Sequence, residues 1–280
     1  MAGMISDAAV GPRVHRTVVA DRRAPHPSIV VLGLEAADLA LAVLPGQFVM
    51  AIPPIGVLPA TALGVYEADG SRISLMVVRC GPRTDELAGL GPGARLDLLG
   101  PLGNGFSLDR ERIPARVGIV AGGVGLASVL LAAERCVKMG ARTTLYYGAR
   151  TAQALVDADI FSKAGCAVSV ATEDGTLGHR GYVTDLLRDA SHDLLLACGP
   201  GPMLRAVHAL ANARNIPAQL SLEETFGCGV GACWGCVVPL DRSSAQAPRF
   251  PPPSEAEPRP YVHARVCKEG PVFWTRELQW

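Results

Sequence analysis

Several things are scarce or missing in this 280-residue sequence, and each absence narrows what the chain can be. Lys+Arg and Asp+Glu both number 26, so there is no net field of either sign to recruit nucleic acid or an anionic membrane. No uninterrupted apolar run reaches the ~20 residues that span a bilayer. The opening MAGMISDAAVGPRVHR lacks the basic-then-apolar pattern of a signal peptide. A cytoplasmic chain with no membrane span and no nucleic-acid partner is therefore expected. No internal repeat is evident. What is there instead is apolar material for a core, 49% hydrophobic against 19% charged, and eight cysteines. In a reducing compartment so many cysteines point to metal or redox chemistry rather than to a disulfide framework.

The apolar runs change rhythm along the chain. Up to about residue 108, short runs such as SIVVLGLEA, GQFVMAI and RISLMVVR are broken by turn residues, the pattern of a small antiparallel barrel. From Arg116 onward, strand-like VGIVAGG, TTLYYGAR, AVSVATEDG, LLLACGPGP and AQLSLEE alternate with Ala- and Leu-rich helical stretches. That alternation predicts an open parallel sheet of about five strands with helices on its faces. Beyond Glu224 come a cysteine-rich loop, the Pro-rich APRFPPPSEAEPRPY and a short tail. The expected division is 1–110, 111–222 and 223–280: α/β plus β, with a small C-terminal module.

Two glycine turns mark the candidate ligand crevice of the sheet. In VGIVAGGVGLAS an apolar strand runs into Gly122, Gly123 and Gly125 and then a helix, where glycines let a backbone approach a pyrophosphate. The spacing is not G-x-G-x-x-G, and a plain tight turn explains the same glycines. ACGPGPML repeats the arrangement at Cys198 and Gly199, where Cys198 is placed either beside a bound nicotinamide or as a small buried hydrophobe.

The sharper signal is ETFGCGVGACWGCVV. Cys228, Cys233 and Cys236 have C-x4-C-x2-C spacing, the plant-type arrangement for a 2Fe-2S cluster with a distant fourth cysteine. Gly227, Gly229, Gly231 and Gly235 suit a chain wrapping a compact cluster. Structural zinc competes, but it usually pairs two short-spaced knuckles. Cys267 in ARVCKEG is the one downstream cysteine and the preferred fourth ligand; His263 is the alternative.

GQFVM, GPLGNGF, AGGVGLAS, YYGAR, TEDGTLGHRGYVTDLL, ACGPGPML, SLEETFGCGVGACWGC and RVCKEGPVFW occur in an order that resembles the electron-transfer subunits of dihydroorotate dehydrogenase B, in the ferredoxin reductase superfamily. The resemblance implies an FAD-binding barrel, an NAD-binding domain and a 2Fe-2S module. NADH would reduce FAD, and electrons would leave through the cluster to a flavin-containing catalytic dehydrogenase subunit, in a heterotetramer. It implies flavin contacts at Leu58, Pro59, Ala60 and Thr61, at Val77, and at Arg83 and Thr84, nicotinamide contacts around Cys198 and Gly199, and no catalytic acid, base or nucleophile. The chain departs from the family where an R-P-x-S-type motif becomes LPAT, without its arginine, and a G-x-G-T becomes Gly81-Pro82-Arg83-Thr84. Arg83 is then the candidate to supply the missing charge, against the alternative of a solvated surface arginine. Related subunits serve hydrogenases, transhydrogenases and sulfite reductases, and a flavin-free docking subunit is a further alternative. Arg150 is placed to meet a 2′-phosphate, yet Asp157 and Asp159 follow it, which favours NADH. Cys80, Cys136 and Cys166 are expected to pack in apolar surroundings. Trp280 is either a flavin cover or a packed chain end, and insert 247–260 either a partner contact or a surface insertion.

Overall fold

The computed structural model describes residues 11–53, 59–109, 113–248 and 260–280. The runs of the first part become β1 (Arg13–His26), β2 (Ile29–Glu35), β3 (Phe48–Ile52), β4 (Thr61–Ala68), β5 (Arg72–Val78) and β6 (Arg95–Leu102), with short helices α1 (Ala37–Ala42) and α2 (Pro82–Ala88) between them. They close into an antiparallel barrel in the order β1-β2-β5-β4-β3-β6, which leaves no strand edge unpaired. Period-two alternation sorts the side chains. Val30, Leu32, Leu34, Ile73, Leu75 and Val77 fill the barrel, while Val31 and Met76, paired across β2 and β5, face outward onto the rest of the chain.

The second part gives β7 (Arg116–Gly122), α3 (Leu126–Lys138), β8 (Arg142–Ala149), α4 (Ala158–Lys163), β9 (Ala167–Thr172), β10 (His179–Arg180), β11 (Leu194–Cys198), α5 (Gly201–Ala213) and β12 (Ala218–Ser221). The cysteine-bearing segment adds β13 (Val237–Asp241), β14 (Tyr261–Arg265) and β15 (Val272–Trp274). One sheet runs β10-β9-β8-β7-β11-β12-β15, parallel except that β15 lies antiparallel to β12. It is wider than the five strands expected, because β10 is a two-residue strand that carries no periodicity and β15 arrives from the tail. β7 and β11 are buried on both faces, as their unbroken apolar runs require. In α3, Leu126, Val129, Leu130, Ala133 and Cys136 recur at three- and four-residue intervals on the buried side. The helix stops where Gly140 takes φ +88 and Gly140 and Ala141 donate back to Val137 and Cys136, a Schellman ending.

The cysteine segment is not tethered loosely. Val238, Leu240, Ala264, Val266 and Phe273 share one core with Val120 and Ala197 of the sheet and Leu204 and Val207 of α5. Asn104, just past β6, donates to the carbonyls of Glu269 and Val272 and accepts the Val272 N–H, each within 3.0 Å. The Gln219 side chain likewise exchanges two hydrogen bonds with the Ser107 backbone.

Barrel and sheet are also joined by charge. Arg23 of β1 and Tyr66 of β4 converge on Asp157, which precedes α4: Arg23 Nη1 donates to Oδ1 at 2.8 Å and the Tyr66 hydroxyl to Oδ2 at 2.9 Å. Arg23 Nη2 lies 2.7 Å from Oδ2, off the hydrogen-bond line. Burial first, then the Asp157 carboxylate, raises the Tyr66 phenol, so it stays a donor. Asp157 holds φ 56, which Asn tolerates. Asp157→Asn therefore keeps the backbone but loses the ion pair. Because the Arg23 side chain is 39% exposed, water compensates in part, and a loss of about 1–2 kcal/mol is expected in urea unfolding. Tyr66→Phe should cost less than Asp157→Asn.

Candidate functional site

Strand order decides where a ligand can sit. From β7 the chain builds outward through β8, β9 and β10, then returns to place β11 on the other side of β7. The reversal leaves a crevice beyond the carboxyl ends of β7 and β11, where open parallel sheets bind ligands. Ala121 pairs with Cys198 there. A cleft of about 570 Å³ opens from this point across to the barrel, with Thr61, Gly64, Met76, Val78, Arg83 and Thr84 on one wall and Val124, Ser128, Cys198, Ser221 and Glu223 on the other. That volume suits an organic cofactor.

The barrel wall fits an anionic, polar group. The Thr61 hydroxyl is buried and has no hydrogen-bond partner, which costs about 1–3 kcal/mol unless a ligand supplies one. Arg83 is half-buried on the cleft and forms no ion pair among the described residues. Thr84 lines the cleft, but its hydroxyl serves its own loop, accepting from Cys80 N–H and donating to the Gly81 carbonyl, both at 3.0 Å. Elsewhere the structure redistributes the expected flavin contacts. Leu58 lies outside the described residues. Pro59 is exposed, and Ala60 leans on the core beneath the sheet and the cysteine segment. Val77 points into the barrel core, fully buried; its neighbours Met76 and Val78 face the cleft, as strand alternation requires.

On the sheet wall, Cys198 is buried at the cleft floor, its thiol 3.8 Å from Glu223 Oε1. Burial, then the Glu223 carboxylate, pushes the thiol up to about 12 against the hydrogen bonds of Ser128 and Ser221. Burial likewise raises the Glu223 carboxyl, although its surface opens to the cleft. The floor thus offers neutral thiol and hydroxyl groups and a carboxyl that holds its proton to higher pH than an ordinary one. The expected role of the turn glycines changes. A Cβ on Gly125 would lie 2.3 Å from the Cys198 carbonyl, and one on Gly122 would lie 2.7 Å from Met203 Sδ. One on Gly199 would meet the Gly122 backbone N at 2.9 Å. These three glycines pack the two turns together; Gly123, in open space, is the one left free to approach a ligand.

The cysteine loop sits beside the cleft. Phe226 lines the cleft and packs on Phe48, ring centres 5.0 Å apart, and Cys228 follows two residues later. Gly229 and Gly231 take left-handed φ values of 70 and 82, which turn the loop's N–H groups inward. Ala232 and Cys233 N–H point at Cys228 Sγ at 3.2 and 3.4 Å, and Cys267 N–H at Cys236 Sγ at 3.5 Å. Burial raises the Cys228 thiol, but the N–H groups of Cys233, Val230 and Ala232 more than reverse this and leave it at about 6. Cys267 is pushed up to about 12 by burial and then by Cys236. The thiols influence one another in two pairs, Cys228 with Cys233 and Cys236 with Cys267. Among the described residues no three Cys, His, Asp or Glu side chains are set around a single metal ion. Four thiols in mutual electrostatic range need a cationic centre to ionise together, and two pairs suit a centre of two irons better than one ion. His263 is exposed on β14, edge-on to Tyr261 at 5.6 Å.

Other expectations are corrected. Cys80 is exposed on the cleft wall rather than packed, whereas Cys136 and Cys166 are buried. The Asp157 carboxylate is engaged by Arg23 and Tyr66, so it does not discriminate between nucleotides. Trp280 packs beside His208 of α5, ring centres 5.5 Å apart, as a chain end. Insert residues 249–259 lie outside the described residues. Ser128, Ser221, Glu223, Phe48 and Phe226 were missed. AGGVGLAS and SLEE contain Ser128, Ser221 and Glu223 next to strand ends, where the crevice rule would have found them.

No family model matches the chain. Proteins of similar sequence are nevertheless found. The probable dihydroorotate dehydrogenase B (NAD(+)) electron transfer subunit of Methanothermobacter thermautotrophicus is 34% identical over 86% of this chain and 82% of its own. Those of Clostridium acetobutylicum and Geobacillus kaustophilus are 33% and 35% identical, each over 84% of this chain and 86% of theirs. Among solved structures, a chain of an NADH-dependent reduced ferredoxin-NADP oxidoreductase, studied for flavin-based electron bifurcation, superposes with a TM-score of 0.78. It is 25% identical and is matched over 94% of this chain and 90% of that one. The cytochrome b5 reductase domain of Ulva prolifera nitrate reductase shares the fold, with a TM-score of 0.61 at 14% identity, over 77% of this chain and 96% of that one. Shared barrel, shared sheet and a third of the residues in common across nearly the full length place this protein in the family of dihydroorotate dehydrogenase B electron transfer subunits.

Proposed function

We propose that this chain carries electrons from NADH, through FAD held between barrel and sheet and a 2Fe-2S cluster on the cysteine loop, to a flavin-containing dihydroorotate dehydrogenase subunit, in a heterotetramer. The observation that carries this is adjacency: the cleft with the unpartnered Thr61 hydroxyl and Arg83 shares Phe226 with the loop that bears Cys228. FAD, when bound, supplies the exchange between a two-electron hydride donor and a one-electron acceptor.

The chain's own residues then have positional tasks. Arg83 and Thr61 anchor the phosphate-bearing cofactor on the barrel wall. Ser128, Ser221, Cys198 and Glu223 give the floor hydrogen-bonding groups to orient a nicotinamide, and the raised Cys198 thiol keeps that floor free of thiolate at neutral pH. Cys228 and Cys233 would hold one iron, and Cys236 and Cys267 the other. Val230, Trp234 and Val237, apolar and exposed around the cysteine loop, form the face offered to the partner. Among the described residues no helix is long and apolar enough to cross a membrane.

Anaerobically purified protein should contain one FAD, two irons and two sulfides per chain; cluster bands with no flavin after acid extraction would refute the cleft assignment. Arg83→Ala should bind FAD roughly ten- to a hundred-fold more weakly, the worth of one charge-assisted hydrogen bond; unchanged affinity by flavin-fluorescence titration would show that Arg83 is not an anchor. In iodoacetamide labelling at pH 8, exposed Cys80 should be alkylated while Cys198 stays unmodified in native protein, read by peptide mass mapping.

A further inference from the structure

Arg265 has no task in the route above, yet it is the charged side chain most enclosed by the cysteine segment. Only 10% of its side chain is exposed, and 12% of its partner Glu269. Its Nη1 donates to the Gly231 carbonyl, between Cys228 and Cys233, at 2.7 Å. Its Nε donates to Glu269 Oε2 at 3.0 Å, and Nη2 closes a second bond to the same carboxylate. Trp234, held at φ 57, lays its ring 4.5 Å from the guanidinium carbon. Gly231 permits this approach, since a Cβ there would lie 3.4 Å from Arg265 Cζ and 2.9 Å from Lys268 Cβ. Arg265 is two residues from Cys267 and feels both the Cys267 and Cys236 sulfurs. Lys268, next to Cys267 in sequence, is exposed.

We propose that the buried Arg265–Glu269 pair sets the electron affinity of the cysteine centre, the guanidinium favouring its reduced form and the carboxylate opposing it. The inference rests on the 2Fe-2S assignment above. Each hydride brings two electrons, which pass through the centre one at a time and leave for the partner, with no atom transferred at the centre. Each pass adds one negative charge to the thiolate-bound centre. A fixed charge stabilises or opposes that addition according to its sign, and burial decides how much is felt. At an effective dielectric constant near 20 and a separation of roughly 10 Å, one charge changes the equilibrium on the order of tenfold. An exposed charge such as Lys268 is largely screened.

The test is a redox titration of the anaerobically purified full chain, followed by the visible absorbance of the oxidised centre and the electron paramagnetic resonance of the reduced one. Arg265→Gln should lower the electron affinity of the centre about tenfold, a shift of about 59 mV for one electron, and Glu269→Gln should raise it by a similar factor. Arg265→Lys, which keeps the charge, should stay within about threefold of the parent, as should Lys268→Gln. A purely structural staple would move stability and iron content but would not shift the two potentials in opposite directions. Unchanged potentials in variants with full iron and sulfide, or shifts of the same sign in Arg265→Gln and Glu269→Gln, would overturn the proposal alone. A parent protein without two irons and two sulfides would overturn the cluster assignment and the proposal with it.

Discussion

One packing contact fixes how far the cysteine loop stands from the cleft. Met50 of β3 is buried, and its sulfur lies where a side chain on Gly229 would point, 2.4 Å from such a Cβ. Two residues back on the same outward face, Phe48 meets Phe226. The intervening Val49 and the following Ala51 fill the barrel instead. A single β-strand therefore presents a packed core on one side and, on the other, the seat of both the cleft edge and the loop. Electron transfer falls steeply with distance, so a side chain at Gly229 would act on rate by displacing the loop, even though it touches no thiol.

The seat is held from behind as well. β15 is a strand of the nucleotide-side sheet, and Asn104 at the end of the barrel grips the backbone on either side of Gly270 and Pro271. The segment that carries Cys267 is thus bonded both to the barrel and to the sheet. This explains why the chain can tolerate the long Pro-rich excursion between Cys236 and Cys267. The two ends of that excursion, β13 and β14, pair with each other in register from Val237 with Arg265 to Asp241 with Tyr261, so what lies between them need not order the thiols.

Much of this was legible in sequence, and the failures share one cause. Period-two runs and glycine-terminated apolar strands report local burial, so the barrel, the parallel sheet and the two turns could be anticipated. The cysteine spacing singled out the loop because little else asks for that pattern. Which surface meets a residue from far along the chain is not encoded in any local period. Gly125 looked like a phosphate turn, but its neighbour is the Cys198 carbonyl, 73 positions away. Asp157, read as part of an acidic stretch following Arg150, is engaged instead by Arg23, contributed by β1. Arg265 carries no local signal, because its partners, Gly231 and Trp234, lie on the far side of the Pro-rich insert.

The same distinction bears on the flavin anchor. LPAT keeps a hydroxyl at its last position, as threonine, and the structure leaves that hydroxyl buried and unpartnered at the cleft, while a positive charge stands at Arg83, in the first turn of α2. Hydrogen bonds to a buried hydroxyl depend on position and angle, so the threonine cannot be moved without loss. Attraction between a guanidinium and a phosphate is less demanding of its point of origin, since a Coulombic gain survives a change of supporting strand provided the cleft remains shielded from water. On the proposed FAD assignment, an arginine lost at position 58 and present at Arg83 would change the address of the charge and keep its field on the cleft. On that assignment the directional contact would stay with the Thr61 hydroxyl, and only the contact that tolerates relocation would pass to Arg83.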